Sequence, residues 1–232
     1  MRVGLVLVSH SAKLAEGLAD VAKQMAPDVT VRPAGGTPDG GIGTDYDSVV
    51  SAVRQADAGS GVVVLYDLGS AQMTAELVVE SLDDPGAAVV VDAPLVEGAV
   101  AAAVAAQSGA DRAGVAQAAT DAGRGPGKQE TPEAGSVTEE TPSDVVRTEL
   151  TLRNEVGLHA RPAASLVRAI AGVEADVRLR FGDDEADAHS VLAIMSLGAR
   201  KGDRVGVEAT GPQAREAVQR IEALAERNFD EA

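Results

Sequence analysis

VGLVLVSHSAKLAEGL, residues 3–18, decides the architecture of the first half of the chain. Val3–Val8 is an unbroken apolar run, as in a strand buried on both faces. From Ala12 the apolar residues recur at helical spacing, and SHS (Ser9–Ser11) lies between the two patterns. The unit is strand, histidine loop, helix. It repeats without the histidine: strands are expected at Val29–Arg32, Gly61–Leu65 and Ala87–Val91, and helices at Ala12–Met25, Asp47–Ala58, Ala71–Ser81 and Glu97–Gln107. Such alternation predicts an α/β domain over residues 1–110, a doubly wound parallel sheet with helices on both faces. Ligands of these sheets bind at the carboxyl ends of the strands. His10, the loop GGTPDGGIGTD (Gly35–Asp45) and DLGSA (Asp67–Ala71) all fall there.

A second strand–histidine–helix passage, LTLRNEVGLHARPAASLV (Leu150–Val167), opens the other half. Between the halves the composition shifts. Ala122–Asp144 is rich in Pro, Gly, Glu, Ser and Thr and lacks apolar periodicity, so residues 111–147 are expected to be a solvated, flexible linker. Beyond it come strand Val146–Leu152, helix Arg161–Ala171, strand Asp176–Phe181, a short strand near Ala186, helix Ser190–Leu197, strand Arg204–Ala209 and helix Gln213–Asn228. The hairpin-like FGDDEAD (Phe181–Asp187) predicts an antiparallel sheet with its three helices on one face, an α+β open-faced β-sandwich over 148–232.

Composition narrows the function. A formal charge of −16 argues against nucleic-acid binding, since no basic patch is present to displace counterions from phosphates. With no cysteine and only three histidines in unlike contexts, no metal ligand set is visible, and neither a metal nor another cofactor is expected. Aromatic residues make up only 2% of the chain, so Ala, Val and Leu must fill its cores. No apolar stretch reaches the roughly 20 residues needed to span a bilayer, and the N-terminus lacks a secretory pattern. A cytoplasmic protein without membrane insertion is expected.

The motifs suggest phosphate chemistry. A neutral imidazole, with a reference pKa of about 6.5, is a competent nucleophile. A helix N-terminus beside it offers N–H groups and partial positive charge to a phosphoryl oxygen. In GLHARPAA (Gly157–Ala164), Gly157 permits a tight backbone before His159, Arg161 offers a fork of donors, and Pro162 suits a first helical turn. By physics alone the stretch reads equally well as a half-buried histidine beside a surface arginine. In the first domain, Gly69 and Ser70 open a helix that can cradle an anion. Asp67 can accept an imidazole N–H from His10 and leave the other nitrogen to attack; it reads alternatively as a turn or cap carboxylate. Ser190 reads as a helix N-cap, and His189 as a surface residue.

Two resemblances join these pieces. Residues 148–230 resemble HPr, the histidine-containing phosphocarrier of the bacterial phosphotransferase system, through GLHARPAA, HSVLAIMSLGARKGDRV (His189–Val205) and the closing acidic helix. Residues 1–110 resemble the mannose-family IIA domain in the phosphotransferase subunit of phosphotransferase-dependent dihydroxyacetone kinase, through SHS, GGIGTD (Gly40–Asp45), DLGSA and DAPLVEGA (Asp92–Ala99). The resemblance implies that enzyme I phosphorylates His159, with Arg161 steadying the phosphate. The phosphoryl group then passes to His10, supported by Asp67, Gly69 and Ser70. From there it reaches ADP on the nucleotide-binding kinase subunit, which works with a dihydroxyacetone-binding subunit. The resemblance also implies a homodimer through the N-terminal domain, with contacts expected at Gly86–Val91 and DAPLVEGA. Some HPr proteins carry a regulatory phosphoserine at the place of Ser190. Some family members continue into a piece of enzyme I, whereas this chain stops at Ala232, so a separate enzyme I is expected to supply the phosphate. Two rivals stay open: a sugar-transport IIA–HPr fusion feeding a IIB protein and permease, and a regulator signalling through its phosphohistidine state.

Overall fold

The computed structural model describes residues 1–123 and 145–230. The chain divides into two compact units, Met1–Gly123 and Arg124–Ala232. In the first, β1 (Gly4–Ser9), α1 (Ala12–Met25), β2 (Val31–Gly35), α2 (Tyr46–Ala56), β3 (Val62–Tyr66), α3 (Gly69–Glu80), β4 (Ala88–Val91), α4 (Leu95–Gln107) and α5 (Arg112–Asp121) follow in order. All strand pairs are parallel, in the order β2-β1-β3-β4. The expected sheet is therefore present, and alternation within each strand explains its two faces. Leu5, Leu7, Val63 and Leu65 pack with α1, α4 and α5, while Val6, Val8, Val64 and Tyr66 pack with α2 and α3. The strand order reverses between β1 and β3. The crevice of the sheet thus opens where His10 and Asp67 leave their strands.

Two expectations about this unit change. β2 lies two to three residues later than expected and contains Pro33. Proline is tolerated there because β2 is an edge strand, where one row of N–H groups needs no ladder partner. The second change concerns the linker expected from residue 111, because residues 112–121 form α5. Asp111 caps this helix by accepting from Gly114 N–H at 2.8 Å. Val115 and Ala119, one turn apart, are fully buried in the core beside α4. The polar sequence of α5 thus hides a two-residue apolar seam. At its other end the expected linker also gives way to structure, because Val146 and Arg147 begin a strand; residues 124–144 lie outside the described residues.

The second unit runs β5 (Val146–Thr151), α6 (Ala160–Ile170), β6 (Asp176–Phe181), β7 (Asp184–Asp187), α7 (Val191–Ser196), β8 (Arg204–Thr210) and α8 (Ala214–Glu226). Its sheet is antiparallel, in the order β5-β8-β6-β7. Leu150, Val177, Leu179, Val205 and Val207 are buried with Ile170, Ile194 and Ile221 from the three helices. The opposite face is a charge ladder: Arg147 pairs with Glu208 at 3.0 Å, and Glu185 with Arg178 at 2.6 Å and Arg180 at 2.8 Å. Such exposed pairs contribute only about 0–1 kcal/mol each, so the ladder marks a solvated face. This is the open-faced sandwich the sequence predicts. No described helix is long and apolar enough to cross a membrane.

Candidate active sites

His10 leaves β1 one residue before Ser11, the N-cap of α1. The Ser11 hydroxyl accepts from Leu14 N–H at 3.4 Å, so the helix following His10 is already capped by its own chain. The imidazole instead meets the end of β3. Its Nδ1 lies 2.8 Å from Asp67 Oδ1, and its Nε2 lies 2.6 Å from Ser70 Oγ on α3. Asp67 accepts from three further donors at 2.8 Å: His10 N–H and the Ser9 hydroxyl on Oδ2, and Leu68 N–H on Oδ1. Burial pushes the Asp67 carboxyl up, but the His10 amide and ring and the Ser9 hydroxyl together hold it below its usual value. An ionised carboxylate only accepts, so Nδ1 carries the ring proton. Nε2 then holds the lone pair, and the Ser70 hydroxyl donates to it.

The helix end facing His10 is that of α3. Its N-cap is Leu68, whose side chain makes no capping bond, and its first turn holds no acidic residue. Gly69 and Ser70 begin the helix, two residues earlier than expected. The long β2–α2 loop forms another wall: Gly43 N–H donates to the His10 carbonyl at 2.9 Å, and Thr44 Oγ1 lies 3.1 Å from Thr74 Oγ1 on α3. Gly35 at the loop's start is required by crowding, because a Cβ would stand 2.8 Å from the carbonyls of Ser9 and Ser11. Ser9, fully buried, is a site residue that sequence reasoning missed. It accepts from Ser11 N–H at 3.1 Å and donates its own hydroxyl hydrogen bond to Asp67. A serine ending a strand carries no signal of a carboxylate 58 residues away.

His159 is half-buried and is itself the N-cap residue of α6, with no side-chain capping bond; that first turn also lacks an acidic residue. The loop before it depends on Gly157. Its φ is +76°, and a Cβ would stand 2.2 Å from the Ala199 carbonyl oxygen. Leu158 N–H donates to that same carbonyl at 2.9 Å, and the buried Asn154 amide donates to Gly157 O at 2.8 Å. Arg161 is exposed on the first turn of α6 and Pro162 is buried beside it. Ser190 caps α7 by accepting from Ala193 N–H at 3.2 Å. His189 is exposed and paired with Asp187, its Nδ1 3.2 Å from Oδ1. The bond to Asp187 raises the His189 pKa, and the bond to His189 lowers that of Asp187. Among the described residues no cluster of three or more His, Cys, Asp or Glu could hold a metal.

Comparisons with known proteins follow the same division. The family model for the "PTS system fructose IIA component" matches residues 4–116, and that for the "PTS HPr component phosphorylation site" matches 146–227. A curated relative from Pantoea ananatis, the phosphoryl donor subunit DhaM of a PEP-dependent dihydroxyacetone kinase, is 39% identical over 99% of this chain and 51% of its own length. The chain thus spans about half the length of such relatives. A DhaM subunit from Listeria innocua is 44% identical over 43% of this chain and 78% of its own length. Phosphocarrier protein NPr of Escherichia coli is 42% identical over 37% of this chain and 97% of its own length. With IIA-type and HPr-type parts in this order, and with a relative matched over most of its own length, the chain belongs to the DhaM family.

Proposed function

We propose that the chain is a two-station phosphoryl relay serving a dihydroxyacetone kinase in the cytoplasm. Enzyme I, charged by phosphoenolpyruvate, phosphorylates His159, whose phosphate is held by Arg161 and the first turn of α6. His10 Nε2 then attacks the phosphorus, and an N–P bond forms as the bond to His159 breaks. The imidazole becomes cationic, and Asp67 holds the Nδ1 proton against it. A terminal oxygen of ADP on the nucleotide-binding kinase subunit next takes the phosphoryl group. The ATP so formed is used to phosphorylate dihydroxyacetone on the partner subunit. Two copies of the chain pair through their N-terminal units, where β4 is a sheet edge with Val89 and Val90 only partly buried.

The observation that carries this reading is the anchoring of His10 Nδ1 on Asp67, which leaves Nε2 as the nucleophilic atom, beside an uncapped helix end. The test uses enzyme I, labelled phosphoenolpyruvate and both kinase subunits. His10→Ala is expected to take label on His159 and yield no dihydroxyacetone phosphate. His159→Ala is expected to take none from enzyme I. Efficient labelling of His10 in the His159→Ala chain by enzyme I alone would refute the order of the stations.

A further inference from the structure

Ser70, His10 and Asp67 form a chain of contacts whose lengths carry a second meaning. Ser70 Oγ is 2.6 Å from His10 Nε2, and His10 Nδ1 is 2.8 Å from Asp67 Oδ1. A hydroxyl within reach of an imidazole that is itself oriented by a carboxylate is the arrangement that activates a serine nucleophile. The remaining parts are also present. Ser70 is exposed, so an incoming group can reach it. Gly69 and Ser70 open a twelve-residue helix that no side chain caps, so backbone N–H donors stand beside the hydroxyl for a developing oxyanion. Ser9 and two backbone amides hold the carboxylate in place, as an orienting group requires.

We propose that the unphosphorylated His10 site is also a serine-nucleophile centre, taking small activated acyl or phosphonyl groups onto Ser70. This goes beyond the relay, because the bond forms on oxygen and His10 serves as base. With a fluorophosphonate, Ser70 Oγ attacks phosphorus, the O–P bond forms as P–F breaks, and fluoride leaves. The Ser70 proton passes to Nε2 and from there to water. With an activated ester, Oγ attacks the carbonyl carbon and His10 returns the proton to the departing alcohol. Water deprotonated by Nε2 then releases the acid and restores Ser70. Ser70 cannot take over a phosphoryl group already on Nε2. Its oxygen approaches from the side of the nitrogen and not from the opposite side that in-line displacement needs. The two chemistries therefore exclude each other, since a phosphoryl group on Nε2 removes the base.

The full, unphosphorylated chain is treated with an alkyl fluorophosphonate, and adducts are located by peptide mass spectrometry before and after acid treatment. The expected result is one acid-stable adduct on Ser70. It should be absent in Ser70→Ala, fall to the level of other exposed serines in His10→Ala, and form roughly tenfold or more slowly in Asp67→Asn. Circular dichroism confirms that each variant is folded. Prior phosphorylation of His10 is expected to abolish labelling. The proposal is overturned if Ser70 labels no faster than other exposed serines, if His10→Ala labels like the wild type, or if the adduct is acid-labile and sits on His10.

Discussion

Replacing Asp67 with Asn changes one atom and disturbs four hydrogen bonds. The carboxylate accepts His10 N–H and the Ser9 hydroxyl on one oxygen, and the His10 ring and Leu68 N–H on the other. An asparagine offers a single oxygen, so its NH2 must face one of these pairs. If it faces the first, Ser9 can turn its hydroxyl to accept, but the backbone N–H of His10 is stranded. If it faces the second, Leu68 N–H is stranded and the ring must invert its tautomer, placing a proton on Nε2. Either way one fixed donor loses its partner, which costs about 1–3 kcal/mol of stability. Exchanging a charge-assisted bond for a neutral one removes about a further 1–2 kcal/mol from the cationic imidazole formed during attack. The expected slowing of His10 phosphorylation is about 5–30-fold, and greater in the inverted tautomer. Rapid-quench transfer from phosphorylated HPr domain reads the rate, and urea unfolding followed by circular dichroism reads the stability. The pH dependence supplies a second arm. Because the folded carboxyl lies below its unfolded value of about 3.9, its contribution is complete above that pH and is lost as pH falls through the folded value. Asp67→Asn should remove that acid-side slope. A folded variant that is phosphorylated at the wild-type rate would refute the assignment of Asp67 as the group that orients His10.

Gly157→Ala places a methyl group 2.2 Å from the Ala199 carbonyl at a φ of +76°; a loss of about 2 kcal/mol or more is expected in thermal unfolding, with slower labelling of His159. His189 should titrate above the ordinary value of about 6.5 by NMR and fall toward it in Asp187→Asn. Its raised pKa means that the pair stabilises the fold below the unfolded histidine pKa and loses that contribution as pH rises through the folded value, while Asp187 withdraws its share in acid. Val115→Asp buries a charge in the seam between α5 and the core, with an expected loss of about 3 kcal/mol or more; unchanged stability would return residues 112–121 to the linker. Light scattering of the full chain should give twice the chain mass at micromolar concentration, and a monomer mass would remove the dimer from the proposal.

The sheet was legible where burial on both faces leaves continuous apolar runs, as in GLVLVS and VVVLY, and α1 was legible to the residue because Ser11 marks its start. α5 was not, because a helix that buries only Val115 and Ala119 has too narrow an apolar stripe to stand out from a polar linker. At the site, His10, Asp67 and Ser70 could be named from their positions at strand ends and a helix start. Their distances could not, because β1 and β3 are brought together by sheet register: Val8 lies opposite Tyr66. The helix that serves His10 was also ambiguous in sequence. Ser11 is the residue that settles it, by closing α1 and leaving α3 open.

The helix ends themselves separate the two histidines from the rest of the chain. An α-helix leaves its first N–H groups unsatisfied, and a capping side chain contributes about 0.5–2 kcal/mol by accepting from one of them. Here α1, α2, α5 and α7 are closed by Ser11, Asp45, Asp111 and Ser190. α4 and α8 have no capping side chain but carry Glu97 and Glu216 in the first turn, where a carboxylate offsets the partial positive charge. Among the described α-helices, only α3 and α6 have neither device. They are the helices that begin beside Nε2 of His10 and at His159. Elsewhere in the fold the N-terminal charge is met from within the chain. At α3 the Leu68 N–H is met by Asp67, and on the proposed relay the remaining donors at these two ends serve a phosphoryl group on the adjacent imidazole. A permanent serine or aspartate cap at Leu68 would raise the stability of the resting fold and compete with that group for the same N–H donors. On the proposed relay the open ends cost resting stability and favour the phosphorylated state, which is the balance a carrier needs if it is to be charged and discharged in each turnover.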